Sequence, residues 1–187
     1  MQNQIGTGFT AGGSVAAGSK SLEGVFVKNK YTFEAFDRDG NLKWRDEIEN
    51  LITNVGLDDL LDKYLKGSSY TAAFFVGLID GTPTLAAGDT MASHAGWAEV
   101  TAYDESARQG LVLGTVSGQS VNNSASKASF AINADGTVIG GAFLVTNSTK
   151  GGTSGVVYSE AAFTAGNKTL DDGDTLNVTV TCTAASA

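Results

Sequence analysis

The chain has one histidine, His94, and one cysteine, Cys182, and these are the side chains best suited to nucleophilic or metal chemistry. A Cys-His nucleophile pair needs its thiol exposed in an electropositive site. Cys182 instead shares a strand face with Val178 and Val180, which favours a core thiol. A structural zinc site takes four ligands, and these two residues supply at most two. We therefore predict no catalytic residue and no metal site from this pair.

Two glycine-rich stretches near the N-terminus are superficially similar to nucleotide-binding loops. The stretch 13–21 has a serine between its last glycine and its lysine, where a phosphate-binding loop needs the lysine directly after the glycine. The sequence predicts no strand before it and no helix after it to hold a phosphate. Residues 6–8 lack the third glycine of a dinucleotide-binding turn. We predict no cofactor.

Acidic side chains cluster in two segments that could hold a cation. Asp37, Asp39 and Asn41 alternate as the oxygen ligands of a calcium loop do, because a hard cation needs several converging oxygens. The glycine stands at the fourth loop position instead of the sixth, however, and basic residues replace the later ligands. A hairpin turn is the favoured interpretation, and the Asp-Asp-Gly-Asp segment 171–174 is interpreted as an exposed turn in the same way.

Paired carboxylates cleave glycosidic bonds, and Glu99, Asp104 and Glu105 follow Trp97 closely in the sequence. Nothing in their spacing distinguishes an acid from a nucleophile. The aromatic residues are scattered singly, whereas a sugar-binding face is expected to carry two or three on one strand. We predict a non-enzymatic protein; a glycan hydrolase or lyase, which would require clustered carboxylates in a groove, is the enzymatic alternative.

The composition sets the outer limits of function. The 187 residues fit one domain, with 42% apolar and 17% charged residues and a formal net charge of −8. An acidic balance argues against nucleic acid as a partner, because that binding depends on Lys and Arg neutralising phosphates. The longest apolar stretch is far shorter than the roughly 20 residues of a membrane span. We predict neither a nucleic-acid nor a membrane partner, and no export signal.

The predicted helices and strands begin after a glycine-rich segment, residues 1–24, whose apolar residues recur at neither the spacing of a strand nor that of a helix. It predicts an arm that lies along a neighbouring molecule, with a disordered tail as the alternative. Alternation over 25–35 and 42–48, on either side of the turn at 37–41, predicts a β-hairpin. Leucines at i, i+3, i+4 and i+8 from Leu57 predict one amphipathic helix near 55–66 that covers a sheet.

After the helix, short apolar runs separated by turn residues predict a succession of strands. The runs are 72–79, 111–116, 128–132, 138–145, 156–163 and 175–182. Residues 84–104 are predicted to be a long loop with one short helical turn. The fold class is mainly β: one domain over 25–187, an antiparallel β-sandwich of jelly-roll type with one amphipathic helix and an extended N-terminal arm.

Four segments of the chain resemble a family of small structural proteins of tailed bacteriophages. They are FDRDGNLKW (residues 36–44), NLITNVG (50–56), DTMASHAGW (89–97) and GDTLNVT (173–179). They are distinctive as a series, and the resemblance covers most of the chain beyond residue 24. None of them is a functional motif by itself.

The resemblance implies a virion component, with a capsid decoration or cement protein favoured. Such proteins are typically compact β-domains, often trimeric, that sit over junctions of the major capsid protein with an arm that ties neighbours together. The expected partners are thus the major capsid protein and further copies of the chain, at the surface of the phage head. A tail, neck or fibre component that binds a host receptor or a glycan is the alternative. The resemblance carries over no site residue.

Overall fold

The computed structural model describes residues 25–69 and 73–186, so the predicted arm at 1–24 lies outside the described residues. Thirteen strands and one helical segment form within these ranges. In chain order they are β1 (Val25–Phe36), β2 (Leu42–Glu49), β3 (Leu51–Ile52), α1 (Asn54–Leu60) with a π-helical turn (Leu61–Leu65), β4 (Phe75–Ile79), β5 (Glu99–Val100), β6 (Gln109–Gly110), β7 (Ser120–Asn122), β8 (Ala128–Ala131), β9 (Thr137–Ile139), β10 (Gly141–Val145), β11 (Val157–Ala162), β12 (Lys168–Leu170) and β13 (Thr175–Ser186).

The first sheet is built around β1 and β13, which pair antiparallel along their whole length from Val25 opposite Ser186 to Phe36 opposite Thr175. The strand order is β2-β1-β13-β7, and β8 also pairs with β13. The β1–β2 connection is the predicted hairpin, with Gly40 in the left-handed region at φ 82°. The long β1–β13 pair makes this sheet the frame of the molecule.

The second sheet has the order β3-β11-β10-β4-β5, and β6 also pairs with β4. It is antiparallel throughout. A separate two-stranded ribbon joins β9 and β12. Helix α1 leads directly out of the β3 edge of this sheet, so its position is tied to the neighbouring strand β11.

The main core lies between the two sheets. Alternate side chains of β1 and β13 contribute Tyr31, Phe33, Leu176, Val178 and Val180, all fully buried. Alternate side chains of β4 and β10 belong to the same cluster. The rings of Phe33 and Phe163 lie 4.7 Å apart between their centroids. The apolar area that this packing removes from water is the main force that holds the sandwich together.

A second core covers the opposite face of the second sheet. Phe143 and Val145 alternate with the residues of β10 that face the main core, and they pack against Met91 and Trp97 of the loop between β4 and β5. Every residue of β10 is therefore buried. A strand that is buried on both faces is apolar throughout and gives no alternating pattern.

The predicted fold class, mainly β with antiparallel sheets and a single short helix, is confirmed for the described residues. Jelly-roll connectivity stays a prediction. The hairpin is confirmed, and so is the half-buried face of the last strand, which follows from clean alternation.

Three of the predicted elements are wrong in detail. Residues 111–116 form no strand, and most of their side chains are exposed. The run 138–145 divides at Gly140 into β9 and β10, which belong to different sheets. A Cβ at Gly140 would lie 2.1 Å from the carbonyl oxygen of Gly81, so the chain passes too close there for any side chain. The loop 84–104 contains β5, and none of its residues is helical.

Candidate functional site

The structure places His94 and Cys182 in different parts of the sandwich. His94 stacks on Trp97 with ring centroids 3.8 Å apart and donates from Nδ1 to the Trp97 carbonyl oxygen at 3.0 Å. Trp97 belongs to the second core, whereas Cys182 packs against the main core on β13. Burial raises the pKa of the Cys182 thiol to about 11, so the thiol is neutral at physiological pH. The two residues form no nucleophile pair.

Both acidic segments are hydrogen-bonded turns. Asp37 Oδ1 accepts hydrogen bonds from the backbone N–H groups of Asp39 and Asn41, and the contacts from Asn41 hold the pKa of Asp37 below its usual value. In the second segment, the Asp174 carboxylate accepts from Lys43 and from the backbone of Asp171. Among residues 25–69 and 73–186 there is no group of three or more His, Cys, Asp or Glu side chains arranged to hold a metal ion.

The three carboxylates near Trp97 in the sequence each bind a different partner. Glu99 pairs with the buried Arg108 through two hydrogen bonds of 2.8 Å, and Arg108 also donates to the carbonyl oxygens of Asn147 and Gly152. This ion pair fastens the loop after β10 to β5. Asp104 and Glu105 accept from Asn133 and Ala131 respectively. Their contacts are those of structural groups that tie loops to strands.

A different carboxylate pair, Asp89 and Glu160, comes together in the second core, and sequence reasoning missed it. Trp97 Nε1 donates to Asp89 Oδ2 at 3.2 Å and to Glu160 Oε2 at 2.9 Å. The backbone N–H of Ala86 lies within 3.2 Å of both carboxyls as well. Burial, and then the charge of Asp89, raises the pKa of Glu160 to about 7.

The Asp89–Glu160 pair can hold a proton, but it is closed to a substrate, because Glu160 is 0% exposed. Its chemistry is that of a buried acid pair that responds to pH. Glu160 stands in a strand whose alternation would place it on an outer face. Only the packing of the distant loop at 84–98 buries that face, so no local signal in the sequence could identify the pair.

Helix α1 lies with an unexpected face against the protein. Gly56 is its buried residue, and a Cβ there would lie 2.3 Å from the carbonyl oxygen of Tyr158 on β11. Thr53 begins the helix by accepting a hydrogen bond from the Gly56 N–H and by donating to the Val157 carbonyl oxygen. Small Gly56 thus permits a close contact between the helix backbone and the second sheet.

The apolar stripe of the helix consequently points outward. Leu61 is 54% exposed, Tyr64 82% and Leu65 72%, and Leu57 is exposed as well. We call these four residues the apolar helix face. The prediction that the leucine stripe covers a sheet is wrong for these four residues, because the helix meets β11 at Gly56; Leu60, the remaining residue of the stripe, is half-buried. A glycine within the first turn was the available signal for this orientation.

A cavity of about 470 Å³ opens beside the apolar helix face. Its walls include Leu60 of the helix, Leu113 of the irregular segment 111–116 and Leu144 of the second sheet. Asn29 and Cys182, which are paired in register on β1 and β13, line it from the first sheet. Tyr64 belongs to both the cavity and the apolar helix face, so the two features adjoin; Asp59 and Lys63 of the same helical segment also line the cavity.

The apolar helix face and the cavity place exposed large apolar side chains beside one another. Soluble monomers rarely expose a contiguous apolar patch of more than a few hundred Å², and such patches mark interaction sites. A π-helical turn, Leu61–Leu65, forms the part of the helix that carries most of the patch. π-Helical turns of this kind occur frequently at functional sites.

Comparison with protein-family models, with curated proteins and with solved structures finds no match to this chain. Among the described residues, no helix is long and apolar enough to cross a membrane.

Proposed function

We propose that this chain is a non-enzymatic structural protein that acts by binding other protein surfaces through the apolar helix face and the adjoining cavity. The observation that carries the proposal is the outward orientation of Leu57, Leu61, Tyr64 and Leu65. Burying large apolar side chains is worth roughly 1.5–3 kcal/mol each. A partner that covers this face therefore gains binding free energy by burying side chains that are exposed in the isolated molecule.

Within that class, we propose a capsid decoration protein of a tailed bacteriophage, bound to the major capsid protein on the head surface. The four sequence segments that resemble phage structural proteins support this assignment. A β-sandwich with a preformed apolar surface suits the role, because a repeated lattice multiplies modest contacts. Copies of the chain associate, with a trimer favoured, so that each contact to the shell needs to bury only a small area.

Imaging purified virions by cryo-electron microscopy tests the location. Density that fits the sandwich over junctions of the head shell is the expected result. Density at the tail tip, the neck or a fibre would overturn the decoration assignment and favour a component that binds a receptor or a glycan.

A matched pair of variants tests the surface. The double variant Leu61→Ser/Tyr64→Ser should reduce binding to shells that lack the protein by at least about tenfold, because apolar anchors dominate such interfaces. The control is Leu42→Ser: Leu42 is 55% exposed, like Leu61, but lies at the far end of the β1–β2 hairpin. Equal binding by both variants would contradict a role for the apolar helix face.

A further inference from the structure

The loop at 84–98, between β4 and β5, covers the second sheet but is attached to it at few points. It contains neither a helix nor a strand, and only Asp89, Met91 and Trp97 among its residues are buried. Two of these three side chains meet Glu160 of β11 in the acid pair. The position of the loop therefore depends strongly on the contacts of that pair.

The Asp89–Glu160 pair has too few donors for two charged carboxylates. The Trp97 Nε1–H group is shared between them at 3.2 and 2.9 Å, and the Ala86 N–H group is shared at 3.1 and 3.2 Å. Both donors are neutral. No ion pair formed within residues 25–69 and 73–186 includes either carboxyl. Two buried negative charges that share donors repel each other, so the arrangement favours one proton held by the pair.

The other titratable groups around the pair have partners of their own. On the loop, His94 stacks on Trp97 and its Nδ1 is hydrogen-bonded to the Trp97 carbonyl oxygen. On the side of β10, Arg108 lies over the Phe143 ring and is paired with Glu99. On β1, the Tyr31 hydroxyl is hydrogen-bonded to Ser159. Strand β3, which pairs with β11 beside Glu160, has no titratable side chain. None of these groups supplies a cation to the pair.

The same loop also holds the start of helix α1. The Asn54 N–H group donates to the carbonyl oxygen of Ala87 at 2.7 Å, and Ala87 is two positions before Asp89. On the sheet side, Glu160 lies opposite Leu51 of β3, the strand that leads into the helix. The acid pair and the first turn of the helix are therefore attached to one short piece of the loop.

We propose that the Asp89–Glu160 pair is a pH-dependent switch that controls whether the loop at 84–98 is closed over the second sheet. With one proton, the pair binds the loop to β11; without it, the two carboxylates repel each other and the loop opens together with its contact to Asn54. Met91 and Trp97, which are 1% and 7% exposed in the closed form, then reach water. The main core contains neither residue, so the sandwich remains folded.

Hydrogen exchange followed by NMR measures this opening residue by residue, without any partner molecule. The reporters are the hydrogen-bonded N–H groups of Thr84, Asp89, Trp97 and Asn54. Their rates are expressed as protection factors, which removes the pH dependence of exchange in a free peptide. Opening returns the pKa of Glu160 from about 7 to its ordinary 4.5, so the protection factors should fall about a hundredfold from about pH 4.5 to 8.

A matched pair of variants assigns the effect to Glu160. Glu160→Gln removes the ionisation and keeps Asp89 and His94, so protection in the loop should become nearly independent of pH. Glu49→Gln, which changes an exposed carboxyl on β2, should retain the fall of about a hundredfold. A fall of equal size in Glu160→Gln and in the natural chain would overturn the inference, because the proton would then belong to another group.

Comparison with the first sheet establishes whether the opening is local. Low concentrations of urea should lower protection much less in the loop than in β1 and β13, because a local opening exposes less surface than unfolding does. Loop N–H groups that match β1 and β13 in protection and in urea dependence would overturn the switch. Unchanged protection of Asn54 while the loop loses its own would overturn the link to the helix. Either failure leaves the proposed function standing, since the apolar helix face is exposed in the closed form.

Discussion

The buried acid pair in the second core should make stability fall as the pH rises through neutrality. Glu160 has a pKa of about 7 in the folded protein, whereas its ordinary value is 4.5. The fold therefore binds this proton more tightly than the unfolded chain does. The stability that protonated Glu160 contributes is fully present below pH 4.5, declines between pH 4.5 and 7, and is lost above the folded pKa.

The size of the effect follows from the same two values. Each unit of difference between the folded and unfolded pKa corresponds to about 1.4 kcal/mol, so ionising Glu160 in the fold costs about 3 kcal/mol. Glu160→Gln removes the ionisation and keeps a group that can accept from Trp97 Nε1. The variant should match the natural chain at about pH 4.5 and exceed its free energy of unfolding by about 2–3 kcal/mol at about pH 8.

Urea unfolding, followed by tryptophan fluorescence at a series of pH values, measures this difference directly. Taking the difference between the free energies of unfolding of the two proteins removes the contribution of exposed carboxyls such as Glu47 and Asp62. Their pKa values are lowered in the fold, so they affect stability mainly below pH 4.5. Asp89→Asn should shift the decline to lower pH, because the Asp89 charge contributes to the raised pKa. A difference between Glu160→Gln and the natural chain that stays constant from pH 4.5 to 8 would refute the reasoning.

Two further predictions concern the contacts that position the helix and the loop after β10. Gly56→Ala should lower the free energy of unfolding by about 1–3 kcal/mol in thermal or urea denaturation, since its Cβ would meet Tyr158; Gly88→Ala, which has open space, is the control, and equal effects would contradict the close contact. Arg108→Met should cost about 3–5 kcal/mol in urea unfolding, because it leaves the Glu99 carboxylate buried without its partner. The double variant Glu99→Leu/Arg108→Met should recover most of that loss, and a double variant as unstable as the single one would contradict the explanation.

The half-buried strands could be predicted because their apolar residues alternate with polar ones, and successive side chains of a strand point to opposite faces. Tyr31 and Phe33 of β1 and Val178 and Val180 of β13 face the core and are fully buried, while Glu34, Asn177 and Thr179 between core positions are only half-buried. The second sheet offered no such pattern, because a loop from elsewhere in the chain covers its outer face. Glu160 is buried by that loop, so its proximity to Asp89 follows from tertiary packing alone.

For the irregular segment 111–116, the sequence predicts a strand that the structure does not contain. Its apolar residues look like a strand, yet Val112 and Val116 are exposed and Leu113 faces the cavity. Apolar residues indicate a need for burial, and the pattern does not say whether the cover comes from the same chain. An apolar run that the fold leaves exposed has the same composition as a buried strand, just as the centre of an interface has a composition close to that of a protein core.

The helix also exposes apolar residues that its sequence pattern predicts to be buried. Helix α1 meets β11 at Gly56, whereas Leu57 of α1 and Leu61, Tyr64 and Leu65 of the π-helical turn are exposed. If the helix served only the stability of this molecule, the leucines would lie inward and polar residues outward. The close backbone contact attaches the helix and leaves these apolar side chains exposed. The docking role proposed above rests on that exposure.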